Sequence, residues 1–353
     1  MSQVEYNTSR WMEGGGPESD IAVSSRVRAA RNLEGHPFSC LASEQENYET
    51  LEKIIKGIID KEEFAGFKYL AIRDIASFEK QALVEKHLIS PFLAYESNYG
   101  ALMISEDEAV GVMINEEDHL RIQTILPGLQ LEEAWQDTGR YDDFLESEFD
   151  YVFDENYGYL TACPTNVGTG LRASVMLHLP ALIMTRQINR ILGALSQVGL
   201  AVRGLYGEGT EIIGNLVQVS NQVTLGQSEE EIIGNLASVI SQVIEQEQNA
   251  RQDLLNKKRA DLSDKAWRAL GTLEYAQVIS SQEAIQVISD LRLGYDLGLI
   301  NGINHKLLNE LLVLIRPGCL QLLAGRELGH NERSLERPVF IKETLKRSRE
   351  QNN

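Results

Sequence analysis

The chain has 353 residues, 43% of them hydrophobic and 24% charged, a composition typical of globular proteins and long enough for two domains. Its formal net charge of −19 argues against nucleic acid as the main partner, because binding there depends on neutralising phosphates. The sequence has no apolar run long enough to cross a bilayer and no signal-peptide pattern, so we predict no membrane association and a cytoplasmic location. Three widely spaced cysteines, Cys40, Cys163 and Cys319, fit a reducing compartment better than a disulfide framework.

The first predicted strand carries two arginines. The segment Ser24-Ser-Arg-Val-Arg28 follows an apolar run at 21–23, and strand alternation places Arg26 and Arg28 on one face. Two cations at this spacing repel each other unless an anion lies between or above them, although surface strands also carry arginine without a ligand. The strand is therefore a candidate anion site.

Helices and short strands follow. Residues 43–60 and 75–88 have helical periodicity and enclose a strand at 67–72. His87 lies at the end of the second helix, where a histidine more often interacts with the helix dipole than with a ligand. Residues 100–125 contain three strand-like runs separated by acidic turns, which predicts an antiparallel meander.

The last run of this meander carries three polar groups. In Asn115-Glu-Glu-Asp-His-Leu-Arg121, extended spacing would place Glu117, His119 and Arg121 on one side of the strand. A carboxylate, an imidazole and a guanidinium on one face indicate a functional cluster, with a satisfied surface network as the alternative.

A strongly acidic stretch comes next, with a predicted helix at 129–149. Between Leu129 and Glu155 the sequence has ten acids and one base, Arg140. Such a stretch is usually a solvated helix face, and the alternative is a negative field that attracts cationic substrates.

The segment from Cys163 to Met176 combines a thiol, a Gly-rich turn and an arginine. Gly168 and Gly170 permit positive φ and close approach of the backbone to an anion, while Arg172, Ser174 and Met176 alternate onto one strand face. A nucleotide-phosphate edge and a Gly-rich hairpin beside a core cysteine both fit this pattern. The fingerprint G-x-G-x-x-A also matches, but no strand precedes it and no helix or acid follows at the required distance, which excludes a dinucleotide-binding fold.

The remaining chain changes from mixed to purely helical. A helix is predicted at 180–197, a strand at 198–204 ending in Arg203, a Gly-rich loop around Glu208, and a strand at 212–219. Beyond Gly226 only helical patterns occur. We therefore predict an α+β fold, an antiparallel sheet flanked by helices in residues 1–255, followed by an all-helical domain in residues 256–353.

Together these segments favour phosphoryl transfer. Five guanidinium groups match a polyphosphate, and they are contributed by Arg26, Arg28, Arg121, Arg172 and Arg203. Magnesium would be carried by the phosphates and water, since no pair of acids is dedicated to a metal. Glu117 and Glu208, with Cys163 as a third anion, would hold a planar cation such as a guanidinium and take its proton as its nitrogen is phosphorylated.

The same segments resemble the motifs of the phosphagen (ATP:guanidino) kinases in order and over about half of the chain. The resemblance implies catalytic roles for Glu117 and Glu208 and substrate contact for Cys163. It implies ATP binding by the following residues: Ser24, Ser25, Arg26, Val27, Arg28, His87, Arg121, Arg172, Ala173, Ser174, Val175, Met176, Arg203, Gly204, Gly207 and Glu208.

Departures from the small-molecule phosphagen kinases point to a subfamily. Only 23 residues precede the Ser24 motif, and a helical domain follows the catalytic one. That order resembles the bacterial protein arginine kinases, which implies protein substrates marked for degradation, a Clp-type AAA+ protease and an activator protein as partners, and a homodimer. The alternatives are a kinase of free arginine and a non-catalytic phosphoarginine-binding regulator.

The family's phosphoarginine motif, R-D-x-x-R-A, corresponds here to Arg333-Ser-Leu-Glu-Arg337-Pro338. Arg333 and Arg337 remain as an allosteric pair, but Ser334 replaces the acid and Pro338 the alanine. We expect Pro338 to end or distort its helix, and stimulation by free phosphoarginine to be weak or absent.

Overall fold

The computed structural model describes residues 4–97, 99–204 and 212–351. Its centre is an antiparallel sheet with eight strands among these residues, in the order β2-β3-β4-β5-β1-β8-β10-β9, and β6 with β7 forms a separate hairpin. The strands are β1 (Ala22–Arg31), β2 (Lys68–Ala71), β3 (Ala101–Ile104), β4 (Val110–Ile114), β5 (Leu120–Pro127), β6 (Phe153–Asp154), β7 (Gly158–Tyr159), β8 (Leu171–His178), β9 (Leu200–Gly204) and β10 (Leu216–Asn221).

Helices flank this sheet and make up the C-terminal part of the chain. They are α1 (Glu44–Ile58), α2 (Ser77–Glu85), α3 (Pro91–Tyr95), α4 (Leu131–Glu148), α5 (Pro180–Met184), α6 (Ile188–Gln197), α7 (Glu229–Tyr275), α8 (Ser281–Asp296), α9 (His305–Leu314), α10 (Pro317–Ala324) and α11 (His330–Gln351). The predicted fold class, an antiparallel sheet with flanking helices followed by a helical region, is confirmed. Helices α1 and α7 begin with capping boxes, Ser43 with Glu46 and Ser228 with Glu231.

Strand pairing brings the arginines to one face of the sheet. Arg28 lies directly opposite Arg172 on β8 and Gln123 on β5, and Arg121 lies opposite Ala30. Because residues in register point to the same side, Arg26, Arg28, Arg121 and Arg172 share a face, and Arg203 joins them through Gln218 and Met176.

The opposite face of the sheet is apolar and packs on helices. Val27, Ala173 and Val175 are fully buried there. Helix α4 crosses this face, where Thr138 donates a hydrogen bond to Thr124 Oγ1 at 2.9 Å. The acidic helix therefore lies across the sheet from the arginines, and the attraction of cationic substrates by the acidic stretch stays a prediction.

The C-terminal helices share a hydrophobic core with the sheet region. Leu83 and Leu88 beside α2 belong to the same buried cluster as Leu308 and Cys319 of α9 and α10. Helix α7 runs through residue 255, and its backbone departs from helical geometry at Lys258, with φ of −139° and ψ of 32°. The division into 1–255 and 256–353 stays a prediction. Among the described residues no single helix has the length and hydropathy to cross a bilayer. Helices α9 and α10 have the required length and hydropathy only when taken together, and the pair is bent by 89°.

Two helix predictions are corrected. The helix expected at 180–197 is two helices, because Arg186 adopts a left-handed backbone with φ of 58° between α5 and α6. Of the prediction that Pro338 ends or distorts its helix, the first part is wrong, because helix α11 continues past Pro338. The proline leaves the Ser334 carbonyl without its intrahelical donor, and Ile279 N donates to that carbonyl at 3.1 Å instead.

Candidate active site

A cavity of about 670 Å³ lies over the arginine face of the sheet. Four of the five predicted arginines line it, Arg26 and Arg28 from β1, Arg121 from β5 and Arg203 from β9. The fifth, Arg172, lies directly across from Arg28 on β8. The structure therefore brings together cations from four strands that are far apart in sequence.

Two cations of this face, Arg26 and Arg28, lie among other arginines. Burial lowers the pKa of Arg26 to about 10, and the neighbouring Arg121 and Arg203 add to the shift. The pKa of Arg28 is well below its usual value because of burial and then the charges of Arg26, Arg121 and Arg172. Among the described residues neither Arg26 nor Arg28 forms an ion pair. Such a cluster is stabilised by a bound anion.

Arg121 differs from Arg26 and Arg28, because it pairs with Glu116. Its Nη1 lies 2.5 Å from Glu116 Oε1, and Glu116 is 1% exposed. Burial lowers the pKa of Arg121, but Glu116, Glu117 and Asp118 outweigh it, and the net shift is upward. Burial likewise raises the pKa of Glu116, but Arg121, the Ser90 hydroxyl and the Glu117 amide outweigh it, so that this carboxyl remains ionised.

Glu117 lies in a turn, not on a strand. Residues 115–119 are irregular and β5 begins only at Leu120, so the predicted sharing of one strand face by Glu117, His119 and Arg121 is wrong. Glu117 is half-buried, and its pKa is raised by burial first and then by the charge of Glu116. A carboxylate with a raised pKa beside an arginine cluster has the properties of a general base.

His119 is a structural residue. It is fully buried, its Nδ1 accepts from Leu33 N at 3.0 Å, and its Nε2 donates to Pro37 O at 2.9 Å. Burial lowers its pKa to about 4, so the imidazole is neutral near pH 7. These contacts fix the turn that carries Glu117.

The same turn anchors the segment of Cys163. Ala162 N donates to Asp118 Oδ1 at 2.7 Å, which ties the residue before Cys163 to the residue after Glu117. Cys163 is partly exposed, and its Sγ lies 3.0 Å from Thr165 Oγ1. Two predicted catalytic groups are thus held by one hydrogen-bonded junction.

The glycines after Cys163 have a packing role that the sequence analysis did not assign. Gly168 and Gly170 have φ of 116° and 65°, as their positions predicted. A Cβ on Gly168 would lie 2.1 Å from Thr224 O, and one on Gly170 would lie 2.6 Å from Ala30 O. The glycines therefore admit close approach of neighbouring backbone.

His87 lies beyond the end of α2 and lines the cavity. Its backbone is left-handed, with φ of 63°, and Gln123 Nε2 donates to its carbonyl at 2.9 Å. The pKa of His87 is lowered strongly by burial and then by Arg316, Arg26 and Arg28, so the imidazole is neutral. Its Nε2 has no hydrogen-bond partner among the described residues. The histidine thus presents an unused polar atom to a ligand.

The other predicted nucleotide residues divide between the two faces. Ser24, Ser174 and Met176 line a small pocket with His87. Ser25 Oγ donates to Gly128 O, and Val27, Ala173 and Val175 point into the core, so these four offer a ligand only their backbone. Gly204 ends β9 opposite Val217. Gly207 and Glu208 lie outside the described residues.

Three cavity or pairing residues were missed by the sequence analysis. Glu116 was overlooked because an extended backbone would have turned it away from Arg121. Gln123 follows the strand alternation of Arg121 and could have been found from it. Arg316 comes from the start of α10, and an Arg-Pro pair before a helix gives no signal of where that helix packs.

Comparisons with known proteins agree with this geometry. Residues 46–250 match the profile of the ATP:guanido phosphotransferase C-terminal catalytic domain, and residues 259–353 match that of the protein-arginine kinase McsB C-terminal domain. The protein-arginine kinase of Halalkalibacterium halodurans is 51% identical over 98% of this chain and 97% of its own length. The enzyme of that name from Moorella thermoacetica is 51% identical over 98% of this chain and 99% of its own.

Solved structures share the fold at lower identity. The duplicated taurocyamine kinase from Schistosoma mansoni superposes with a TM-score of 0.60 at 24% identity, covering 70% of this chain and 37% of that one. Lombricine kinase gives a TM-score of 0.58 at 24% identity, covering 70% of this chain and 72% of that one. The chain belongs to the ATP:guanido phosphotransferase family and, within it, to the protein-arginine kinases.

Proposed function

We propose that this chain transfers the γ-phosphoryl group of ATP to the guanidinium of arginine side chains in proteins. The observation that carries the proposal is the cavity lined by Arg26, Arg28, Arg121 and Arg203. Glu117, a half-buried carboxylate with a raised pKa, lies close enough to feel the charges of Arg121 and Arg172. Phosphoryl transfer needs little more from a protein than alignment of the reactants and neutralisation of charge.

The arginines would bind the phosphates. Arg26, Arg28, Arg121, Arg172 and Arg203 together offset the charge of ATP, about four negative charges, through bidentate contacts to oxygen. Mg²⁺ would be held by phosphate oxygens and water. His87, Ser174 and Met176 would receive the base end of the nucleotide, since they line the pocket next to the arginines.

The carboxylates would handle the substrate. Glu117 takes a proton from the guanidinium as its nitrogen attacks the γ-phosphorus, and the bond from that phosphorus to the ADP oxygen breaks. Glu208 is proposed as the second carboxylate and Cys163 as a substrate contact. Burial and then the charge of Glu116 raise the pKa of Glu117, which makes its carboxylate a better proton acceptor than an ordinary glutamate.

A protein substrate is favoured over free arginine by the helical C-terminal region and by the relatives that carry it over their full length. Incubation with ATP and either casein or free arginine separates the two, with acid-labile phosphate as the readout. We expect phosphate on casein arginines, mapped by mass spectrometry, and little on free arginine. The reverse result would make the chain a free-arginine kinase, and no transfer to either would leave the phosphoarginine-binding regulator.

The partners follow from the same proposal. Phosphorylated proteins would be delivered to a Clp-type AAA+ protease, an activator protein would raise the activity, and the chain would act as a homodimer in the cytoplasm. Pulldown of the protease unfoldase with phosphorylated and unphosphorylated casein tests the first of these.

A further inference from the structure

The cavity over the arginine face has a second wall that comes from the C-terminal helices. Ser281 and Gln282 at the start of α8, and Arg316 and Pro317 at the start of α10, line it together with Arg26 and Arg28. Neither helix lies within the matched catalytic domain, which ends at residue 250. The predicted nucleotide site is therefore closed by a part of the chain to which no nucleotide role is assigned.

Arg316 is built into this wall. It is 6% exposed, its Nε donates to Leu312 O at 3.2 Å and its Nη1 donates to Glu85 O at 3.2 Å. Of the charges that act on His87, that of Arg316 has the largest effect, ahead of Arg26 and Arg28. A buried guanidinium so placed adds to the positive charge of the cavity.

Glu85 also lines the cavity, and its carboxylate interacts with the charge of Arg316. Glu85 accepts from Gly318 N and Cys319 N, both at 2.9 Å, and so caps the start of α10. Burial raises the pKa of Glu85. The hydrogen bonds from Gly318 and Cys319 and the charge of Arg316 act in the opposite direction but do not cancel that shift. Ser281 Oγ has no hydrogen-bond partner among the described residues, which leaves it available to a ligand.

Arg337 binds the two backbone segments that lead into α8 and α10. Its Nε donates to Ile315 O at 2.6 Å and its Nη1 donates to Ile279 O at 2.7 Å, and it is 3% exposed. Ile315 directly precedes Arg316, and Ile279 lies two residues before Ser281. A change at Arg337 would therefore move the two cavity-lining segments together.

We propose that the C-terminal helices form one wall of the nucleotide site, with Arg316 as a sixth nucleotide-binding arginine and Arg337 as the residue that positions it. The proposal rests on the proposed function, since it requires that the cavity bind ATP. It makes the C-terminal region part of the kinase centre, so that whatever displaces α8 and α10 changes ATP affinity.

The test measures dissociation constants of ATP and of adenosine by calorimetry for the full chain. Arg316→Gln should weaken ATP binding about tenfold, the loss of one charge-assisted contact, and adenosine binding about twofold or less. Arg326→Gln is the matched control, since Arg326 is an exposed arginine of the same region paired with Glu332. It should leave both constants unchanged.

A second variant guards against misfolding of Arg316→Gln. Gln282 is exposed at the mouth of the cavity, and Gln282→Glu should weaken ATP binding about fivefold through repulsion of the phosphates, while Gln286→Glu one turn further along α8 should not. Arg337→Lys, with two carbonyl contacts reduced, should raise the KM for ATP more than it lowers kcat.

Two results would overturn the inference in different ways. If Arg28→Gln abolishes ATP binding but Arg316→Gln and Gln282→Glu bind like their controls, the C-terminal wall does not touch the nucleotide. If the unaltered chain does not bind ATP, or if Arg28→Gln binds ATP as tightly as the unaltered chain, the proposed function itself is wrong.

Discussion

Two groups of buried arginines in this molecule have opposite surroundings. On the sheet, Arg26 and Arg28 are surrounded by other arginines and form no ion pair among the described residues. Beneath the C-terminal helices, Arg251 pairs with Glu247 at 2.9 Å and with Asp296 at 3.3 Å. The residue type is the same, but Arg26 and Arg28 are partly buried and Arg251 is buried, and the number of neighbouring carboxylates differs.

The difference separates stability from function. Arg251 also donates to the carbonyls of Asp20 and His178, so it joins the N-terminal segment, β8, α7 and α8. A satisfied buried guanidinium holds segments together, and its removal leaves buried carboxylates uncompensated. An uncompensated cluster destabilises the empty protein and is retained for a ligand. Compensation by carboxylates therefore distinguishes Arg26 and Arg28 from Arg251, whereas Arg121 pairs with Glu116 and still lines the cavity.

The substitution Arg28→Gln is expected to have the largest effect and tests whether the arginines on the sheet serve function more than stability. We expect turnover to fall about 10³- to 10⁵-fold, the range for removing a charge that stabilises a transferring phosphoryl group. The melting temperature of the empty protein should equal or exceed that of the unaltered chain, because one of several repelling cations is gone. Steady-state kinetics and differential scanning fluorimetry measure the two effects. A large loss of stability would assign Arg28 to the structural group.

Glu117→Gln tests the anion that faces the same arginines. Turnover should fall about 10²- to 10⁴-fold while ATP binding survives, because the shape is kept and the proton acceptor is lost. Since the pKa of Glu117 is raised, the unaltered enzyme should lose kcat/KM on acidification at a pH above that expected for an ordinary glutamate. The variant should lack this acid limb, and near-normal turnover would exclude Glu117 as the base.

Arg251→Gln tests the other side of the comparison. Glu247, which also accepts from Ala181 N and Leu182 N, would lose its cation in a buried site. We expect the free energy of unfolding to drop by about 3–5 kcal/mol, measured in denaturant, with turnover of the folded protein within a few-fold of normal. A stable variant with poor turnover would instead place Arg251 in the functional group.

The sequence could predict the arginine face but not everything around it. Strand alternation fixes which side of a strand a residue occupies, so Arg26 and Arg28 were placed on one face from spacing. Arg172 was grouped with them because five guanidinium groups match a polyphosphate, and its position opposite Arg28 came from the structure. Strand alternation failed at 115–119, where His119 and Asp118 bond to Leu33, Asn32 and Ala162. These tertiary contacts hold a turn in a segment whose local pattern is that of a strand.

The C-terminal wall of the cavity could not be predicted from the sequence for the same reason. Pro338 predicted a helix end by local chemistry, and a donor from another segment, Ile279 N, made the continuous helix acceptable. Arg316 reaches the cavity through packing of α10 against α2, which no periodicity encodes. Sequence patterns therefore predicted the elements and their faces, while the long-range contacts that complete the site required the structure.

Alkylation of Cys163 tests where the substrate binds, and the expected difference in rate is smaller than the effects above. Cys163 is partly exposed near the junction that carries Glu117, and Cys319 is buried with a pKa raised well above its usual value by burial. We expect an alkylating reagent to modify Cys163 several-fold faster than Cys40 or Cys319, and ATP with an arginine peptide to protect it. Equal labelling of Cys40 and Cys163, or no protection, would exclude Cys163 as a substrate contact.

The smallest expected effect concerns free phosphoarginine. Arg333 donates to Leu328 O at 2.6 Å. Arg337 is 3% exposed with two of its nitrogens on backbone carbonyls and, unlike Arg316, is not among the residues that line the cavity over the arginine face. Ser334 offers no carboxylate to the guanidinium end of the ligand. We therefore expect phosphoarginine to change the kinase rate less than about twofold. Cooperative activation that disappears in Arg337→Ala would contradict this and would show that the ligand draws Arg337 away from Ile279 and Ile315. That outcome would place Arg337 in the binding group, and titration of phosphoarginine into the casein assay measures it.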